Sequence, residues 1–187
     1  MILAAFRRRL HNRNIHALYG MIVAQARSRA FYADYGVPDT VEGRFELIVL
    51  HLVLLLRRLA RTDQAGGRGN SYGQQLFDAF CRDLDDNLRE MGVGDTAVPR
   101  KMRQFGEAFY GRQTAYNAAL NGEDEGELEK ALARNIFGLA TVDDRAERLA
   151  HYARVAARRL EGEEEKDILA AGMAIFPGPE GFANAST

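Results

Sequence analysis

The chain has 187 residues, 47% apolar and 27% charged, with a formal net charge of −1. That length buries a sizeable core as one domain without disulfides or metal. The single cysteine, Cys81, excludes a disulfide framework and a cysteine-built metal site and fits a reducing compartment. Charge is unevenly placed: residues 1–33 hold Arg7, Arg8, Arg9, Arg13, Arg27 and Arg29 and no acid, whereas 121–129 and 161–167 are acidic. Such asymmetry points the N-terminal end at an anionic surface, against the plainer reading of solvated helix faces.

Ile2, Leu3, Phe6 and Leu10 lie three and four apart among Arg7, Arg8 and Arg9, which predicts a short basic amphipathic helix over residues 1–13. Its charges follow the short apolar stretch, the wrong order for a secretory signal, and the helical pattern from Ile15 leaves little room for a removable presequence. The domain proper is expected over 14–176. Ile15, Leu18, Tyr19, Ile22, Val23 and Ala26 stripe its first helix, and a short piece near Ala30–Tyr35 leads to the turn Gly36-Val37-Pro38. Asp39 or Thr40 can cap the next helix, Asp39 and Glu42 have capping-box spacing, and Pro38 keeps Val37 out of the helical region. From Leu47 to Leu56 every residue but His51 is apolar. A helix apolar all round must be enclosed by others, and ten such residues are too few to span a bilayer. The central helix is expected over about 40–61, with Arg57, Arg58 and Arg61 suiting its C-terminus.

Gln64–Asn70 reads as a loop, with Ser71 capping a helix striped by Phe77, Phe80, Cys81, Leu84, Leu88 and Met91 and ended by Gly92. Pro99 suits the first turn of a helix carrying Val98, Met102, Phe105, Phe109, Tyr116 and Leu120, stopped at Asn121-Gly122. Leu128, Leu132, Ile136 and Leu139 mark another. Thr141 and Asp144 have capping-box spacing ahead of a seam of Val142, Ala146, Leu149, Ala153, Ala156 and Leu160. A last helix is expected over Glu164–Ile175, stopped by Pro177, with 177–187 a loose tail. The fold class is therefore all-α: one domain of seven to nine helices around a fully buried central helix.

Catalytic signatures do not emerge. The four histidines lack i,i+4 pairing with one another, no Gly-x-Ser-x-Gly elbow occurs, and GGRGN lacks the Lys-Ser/Thr of a phosphate loop. His51 reads as a hydrogen-bonded core histidine, and Cys81 as an inert packed thiol. Asp83, Asp85, Asp86 and Glu90 could hold a divalent ion or do acid–base work, but ion pairs such as Asp85–Arg89 on an exposed face explain them more simply. Gly43 and Gly111, each followed by arginine, cost helix stability and suggest close helix contacts, with Arg44 and Arg112 bridging to carboxylates across them.

Five stretches carry a resemblance: YGMIVAQARSRAFYADY (Tyr19–Tyr35), GVPDTVEGR (Gly36–Arg44), the Leu50–Leu59 run with Arg57-Arg58, DDNLREMGVGD (Asp85–Asp95) and FYGR (Phe109–Arg112). In these the chain resembles the ubiquinol–cytochrome c reductase chaperone family in its alphaproteobacterial form, over roughly residues 15–140. The resemblance implies an assembly factor, not an enzyme, that binds newly made cytochrome b and supports assembly of respiratory complex III, with no cofactor, metal or turnover. It implies cytochrome b as protein client, the ribosome or a small protein as companions, and no DNA. A bacterial member is expected at the cytoplasmic face of the inner membrane, a eukaryotic one in the mitochondrial matrix.

A client-holding protein needs an exposed irregular surface. The candidate client-binding residues are Tyr35, Val37, Pro38, Asp39 and Arg44 at the first turn; Asp86, Asn87, Arg89, Glu90, Met91 and Asp95 at the second; and Arg112. Phe6, Arg7, Arg8, Arg9 and Arg13 are the candidates for weak docking on an anionic membrane. The alternatives are a helical RNA- or ribosome-binding module and, below it, a carboxylate–metal enzyme.

Overall fold

The computed structural model describes the backbone over residues 2–66, 72–124, 126–170 and 175–182, and side chains from Asn14 onward apart from those at 62–66 and 165. Among these residues there are eight α-helices and no strand: α1 (Ile2–Ala26), α2 (Arg29–Ala33), α3 (Val41–Gly66), α4 (Tyr72–Glu90), α5 (Val98–Asn121), α6 (Gly126–Ile136), α7 (Asp144–Gly162) and α8 (Glu165–Leu169), followed by a 3-10 turn at Pro179–Phe182. The all-α expectation holds.

α3 is the hub: α1, α4, α5, α6 and α7 all pack on it. Leu47, Val49, Leu50, Leu52, Val53, Leu54 and Leu55 are sealed from solvent, as is His51. Each buried aliphatic side chain of this kind contributes about 1.5–3 kcal/mol of transfer free energy, which is why a helix with no polar face settles at the centre. Its start obeys local chemistry. Thr40 Oγ1 accepts from the Gly43 N–H at 3.1 Å, so Thr40, not an Asp39–Glu42 box, caps it. A Cβ on Gly43 would stand 2.0 Å from the Pro38 carbonyl oxygen, so the glycine lets the preceding turn fold back on the helix rather than admitting a neighbouring helix. Nothing lies within 4 Å of a Cβ built on Gly111, and nothing in the structure explains that glycine.

α4 ends as its sequence predicts. Gly92 has φ +78°, its N–H donates to the Arg89 carbonyl, and the Val93 N–H donates to the Leu88 carbonyl, which together form a Schellman cap.

Several boundaries differ from expectation. The basic N-terminal segment is continuous with the first domain helix, since nothing between Leu10 and Ile15 breaks a helix. α3 runs through Gln64 and Gly66 rather than ending at Arg61. Arg58, expected to serve its own helix end, donates instead to the carbonyls of Leu160 and Glu163 at the end of α7. Asp143, not Thr141, caps α7, accepting from the Arg145 and Ala146 N–H groups. Among the described residues the last predicted helix covers Glu165–Leu169; 171–174 lie outside them, and Ile175 and Phe176 are buried outside a helix. The segment expected to be a loose tail is packed over Pro177–Phe182; 183–187 and the predicted Ser71 cap lie outside the described residues.

Candidate functional site

α3 and α4 run antiparallel, as do α4 and α5. Phe45, early in α3, packs against Phe80 of α4 and Phe105 of α5, while Phe77, early in α4, packs against Phe109 and Tyr110 farther along α5. This up–down order brings the Gly36–Arg44 turn and the α4–α5 turn to the same end of the three-helix layer. No hydrogen bond or ion pair joins the two turns among the described residues.

The first turn has an inner and an outer half. Tyr35 and Val37 are sealed in the core, so they shape the turn and present no surface. Pro38, Asp39 and Arg44 are exposed, and Arg44 pairs with Asp39 at 2.7 Å across its own turn, not across a helix contact. Val41, just inside α3, is 67% exposed.

The second turn is held by Arg89, which reaches Asp85 one turn back at 2.7 Å and Asp95 beyond the glycine cap at 2.6 Å. These pairs are exposed and screened by solvent, so they orient the turn rather than stabilise the fold. Asp86, Asn87 and Glu90 face solvent. Met91, expected in the core stripe, is instead 61% exposed, because the helix ends at Glu90 and the cap turns it outward. Asp83 is occupied by the Tyr19 hydroxyl, which donates to it at 2.8 Å. The acidic cluster stays on one helix, and among the described residues no group of three or more His, Cys, Asp or Glu converges to hold a metal ion. Cys81 is half-buried, and burial pushes its thiol up, away from a reactive thiolate.

Arg112 is elsewhere. It grips Glu46 of α3 through Nε and Nη2, one to each carboxylate oxygen, and donates from Nη1 to the Ala108 carbonyl at 3.1 Å. Glu46 is 6% exposed. Burial pushes its carboxyl up and the guanidinium pulls it back, while Glu46 holds Arg112 firmly protonated. The expected bridge across a helix contact is therefore real for Arg112, and it is internal. Its carboxylate partner was not legible, because Glu46 sits in an ordinary charged stretch.

A groove of about 200 Å³ opens on the side of the same layer, lined by Leu56, Ala60, Gly73, Phe77, Phe109 and Tyr110, with Gln74 and Gln113 at its rim. Sequence reasoning did not single it out, since its residues read as ordinary core positions. Side chains at Phe6, Arg7, Arg8, Arg9 and Arg13 lie outside the described residues. No described helix is long and apolar enough to cross a membrane.

His51 occupies the centre of a polar relay. Its Nδ1 lies 2.7 Å from the Leu47 carbonyl and so carries the proton; Nε2 then accepts from the Tyr152 hydroxyl at 2.9 Å. Both ring nitrogens are satisfied in the neutral form, and burial pulls the imidazole down to about 4. The unfolded chain takes up this proton below its ordinary value of about 6.5 and the folded chain does not. His51 therefore imposes no penalty above that pH, and stability falls as pH drops from about 6.5 toward about 4. The slope is about 1.4 kcal/mol per pH unit, or roughly 2 kcal/mol by pH 5. Thermal melts between pH 7 and 5 should show a steeper loss in the wild type than in His51→Gln; parallel losses would contradict the assignment.

Comparison with known proteins adds an independent finding. The family model described as ubiquinol-cytochrome C chaperone matches residues 33–176, beginning and ending later than the motifs alone suggested. Ubiquinol-cytochrome-c reductase complex assembly factor 1 of Xenopus laevis is 25% identical over 147 residues, covering 78% of this chain and 72% of that protein. The mitochondrial protein CBP3 of Saccharomyces cerevisiae is 30% identical over 113 residues, 59% of this chain and 33% of that one. The chain spans about half, 51%, of the human assembly factor it matches. The crystal structure of the Cbp3 homolog from Brucella abortus superposes with a TM-score of 0.79 at 34% identity, covering 96% of this chain and 98% of that one.

Proposed function

Because the chain belongs to the ubiquinol–cytochrome c chaperone family, we propose that it is a non-catalytic assembly chaperone for respiratory complex III that holds newly made cytochrome b until the client joins the complex. The observation that carries this reading is the family match over 33–176, supported by nearly end-to-end structural similarity to the Brucella protein. The mechanism is stoichiometric capture, with surfaces rather than reacting groups as the working parts. The proposed client face is the shared end of α3, α4 and α5. There Pro38, Asp39 and Arg44 flank one side, and Asp86, Asn87, Arg89, Glu90, Met91 and Asp95 the other. Exposed Val41 and Met91 supply apolar contact, and the charged pairs around them supply orientation.

The reading puts the protein at the membrane where its client emerges: the cytoplasmic face of the inner membrane in a bacterium, or the matrix side in a mitochondrion. Arg7, Arg8, Arg9 and Arg13 beside Phe6 are proposed to dock weakly on anionic lipid, each contributing roughly 1 kcal/mol near the surface. Co-sedimentation with anionic vesicles that falls with salt and is lost when Arg7, Arg8 and Arg9 become glutamate tests this. Indifference to such vesicles at low salt removes the membrane role.

The decisive experiment is deletion of the gene in its own host, with cytochrome spectra and capture of tagged protein during synthesis. Cytochrome b and assembled complex III should fall while other respiratory complexes are spared at first, and cytochrome b should co-purify. Normal cytochrome b spectra would defeat the proposal. Recovery of ribosomal RNA without cytochrome b would favour the RNA- or ribosome-binding alternative.

A further inference from the structure

Sulfur is unevenly open to solvent among the described residues. Met91 is 61% exposed. Met21 packs against the hydrophobic core, Met102 is half-buried, and so is Cys81, whose thiol burial keeps protonated. Met1 and Met173 lie outside the described residues. The main chain under Met91 is fixed although its side chain is uncovered. The Met91 N–H donates to the Asn87 carbonyl at 3.0 Å, the Gly92 N–H to the Arg89 carbonyl at 2.9 Å and the Val93 N–H to the Leu88 carbonyl at 3.0 Å. Buried Leu88 anchors this last turn of α4 in the core, and Arg89 ties Asp85 to Asp95 across it. A thioether is apolar and adaptable, whereas its sulfoxide is polar. In a core that change disrupts packing. On this turn it alters only what the surface offers.

We propose that Met91 is a modification site for hydrogen peroxide and related hydroperoxides, and that its oxidation is a reversible switch that removes apolar contact from the α4–α5 side of the client face. The switch rests on the complex III reading; the reactivity of Met91 does not. In the forward step the sulfur lone pair attacks one peroxide oxygen, the O–O bond breaks and an S–O bond forms. The departing hydroxide takes the proton left on the transferred oxygen and leaves as water. Sulfur loses two electrons and the peroxide gains them. No acid or base of the chain takes part, so access to the sulfur sets which methionine reacts. Cys81 competes poorly, because peroxide is attacked by a thiolate and its thiol stays protonated. The return step belongs to a thiol-dependent methionine sulfoxide reductase: the sulfoxide oxygen leaves as water while two thiols become a disulfide. Val41, the other exposed apolar side chain at this end, is inert to peroxide and keeps its contact.

The site is tested by treating the full chain with dilute hydrogen peroxide for a series of times, digesting it and reading the peptides by mass spectrometry. Met91 should gain one oxygen several-fold faster than Met21 or Met102, with Cys81 unchanged. Thermal melts should overlay before and after Met91 has reacted. Met91 reacting no faster than Met21 or Met102 overturns the site. A melt that falls in step with Met91 oxidation overturns the switch, since the side chain would then support the fold. The switch is read on tagged chain, oxidised and freed of peroxide, in its capture of newly made cytochrome b. Oxidation should lower capture several-fold, and a methionine sulfoxide reductase with thiol should restore it. Met91→Leu keeps an apolar side chain of similar volume without the sulfur, so peroxide should leave its capture, whatever the starting level, where it was. Capture that survives full oxidation of Met91, or that falls equally in Met91→Leu, overturns the switch. Untreated wild type that captures no cytochrome b defeats the complex III reading and the switch together, while the oxidation rates still decide the site.

Discussion

Leu50→Asp should leave the chain without a cooperative fold. Leu50 has no exposed surface and sits midway along the helix on which five others pack. Removing the leucine forfeits about 2–5 kcal/mol of burial and packing. The carboxylate put in its place must stay unpaired or take a proton, at a cost of several kcal/mol more. A domain of this kind is stable by only about 5–15 kcal/mol, so the sum consumes most or all of it. Circular dichroism should show no sharp thermal transition, and the protein should be recovered mainly as aggregate. A melt like that of wild type would mean that α3 is not the centre of the fold.

Arg112→Leu should be the most damaging single change among the polar residues. It strands the Glu46 carboxylate, 6% exposed, without its bidentate partner. Breaking a buried pair from one side costs about 3–5 kcal/mol, which at about two to four degrees per kcal/mol for a domain of this size lowers Tm by roughly 6–20 °C. Glu46→Leu on the same background should recover most of that loss, because the penalty belongs to the orphaned charge rather than to the missing bond. A double variant no better than Arg112→Leu alone would show that Arg112 acts through packing of its stem. Purified Arg112→Leu should still present Asp39, Arg44 and the α4–α5 turn, so any loss of client binding should track stability.

The division between what could and could not be read from sequence follows the range of the physical signals. α3 was legible because an all-apolar helix has one place to go, and the Gly92 cap because only a left-handed residue ends a helix in that way. That the two turns proposed as the client face share one end of the layer followed from the order of the helices and the turns between them. Partners across space were not legible. Nothing local distinguishes Glu46 from its charged neighbours, and nothing tells Asp143 from Thr141 as the cap of α7. Met91 followed the apolar spacing and was still exposed, because α4 ends at Glu90 and the chain reverses at Gly92, just after it, so no neighbouring helix covers that last position. The docked segment Pro177–Phe182 escaped for a different reason: a short strap that ends in a 3-10 turn has no apolar period to read, and its hydrogen bonds come from side chains far away in sequence.

The same strap sets a condition on synthesis. Its anchors tie Pro177 to Gln25 and Pro179 to Tyr35, across 152 and 144 residues of chain. Closing loops of that size is entropically late, and a chain made from the N-terminus at about 5–20 residues per second supplies these residues only after all the helices they bridge have been made. Until then His51 and Tyr152 lack the rings of Phe176 and Phe182 that pack on them, so a nascent copy halted before Phe176 has an unfinished core. Every molecule made passes through that unprotected stage, and the arrival of Phe176–Phe182 ends it.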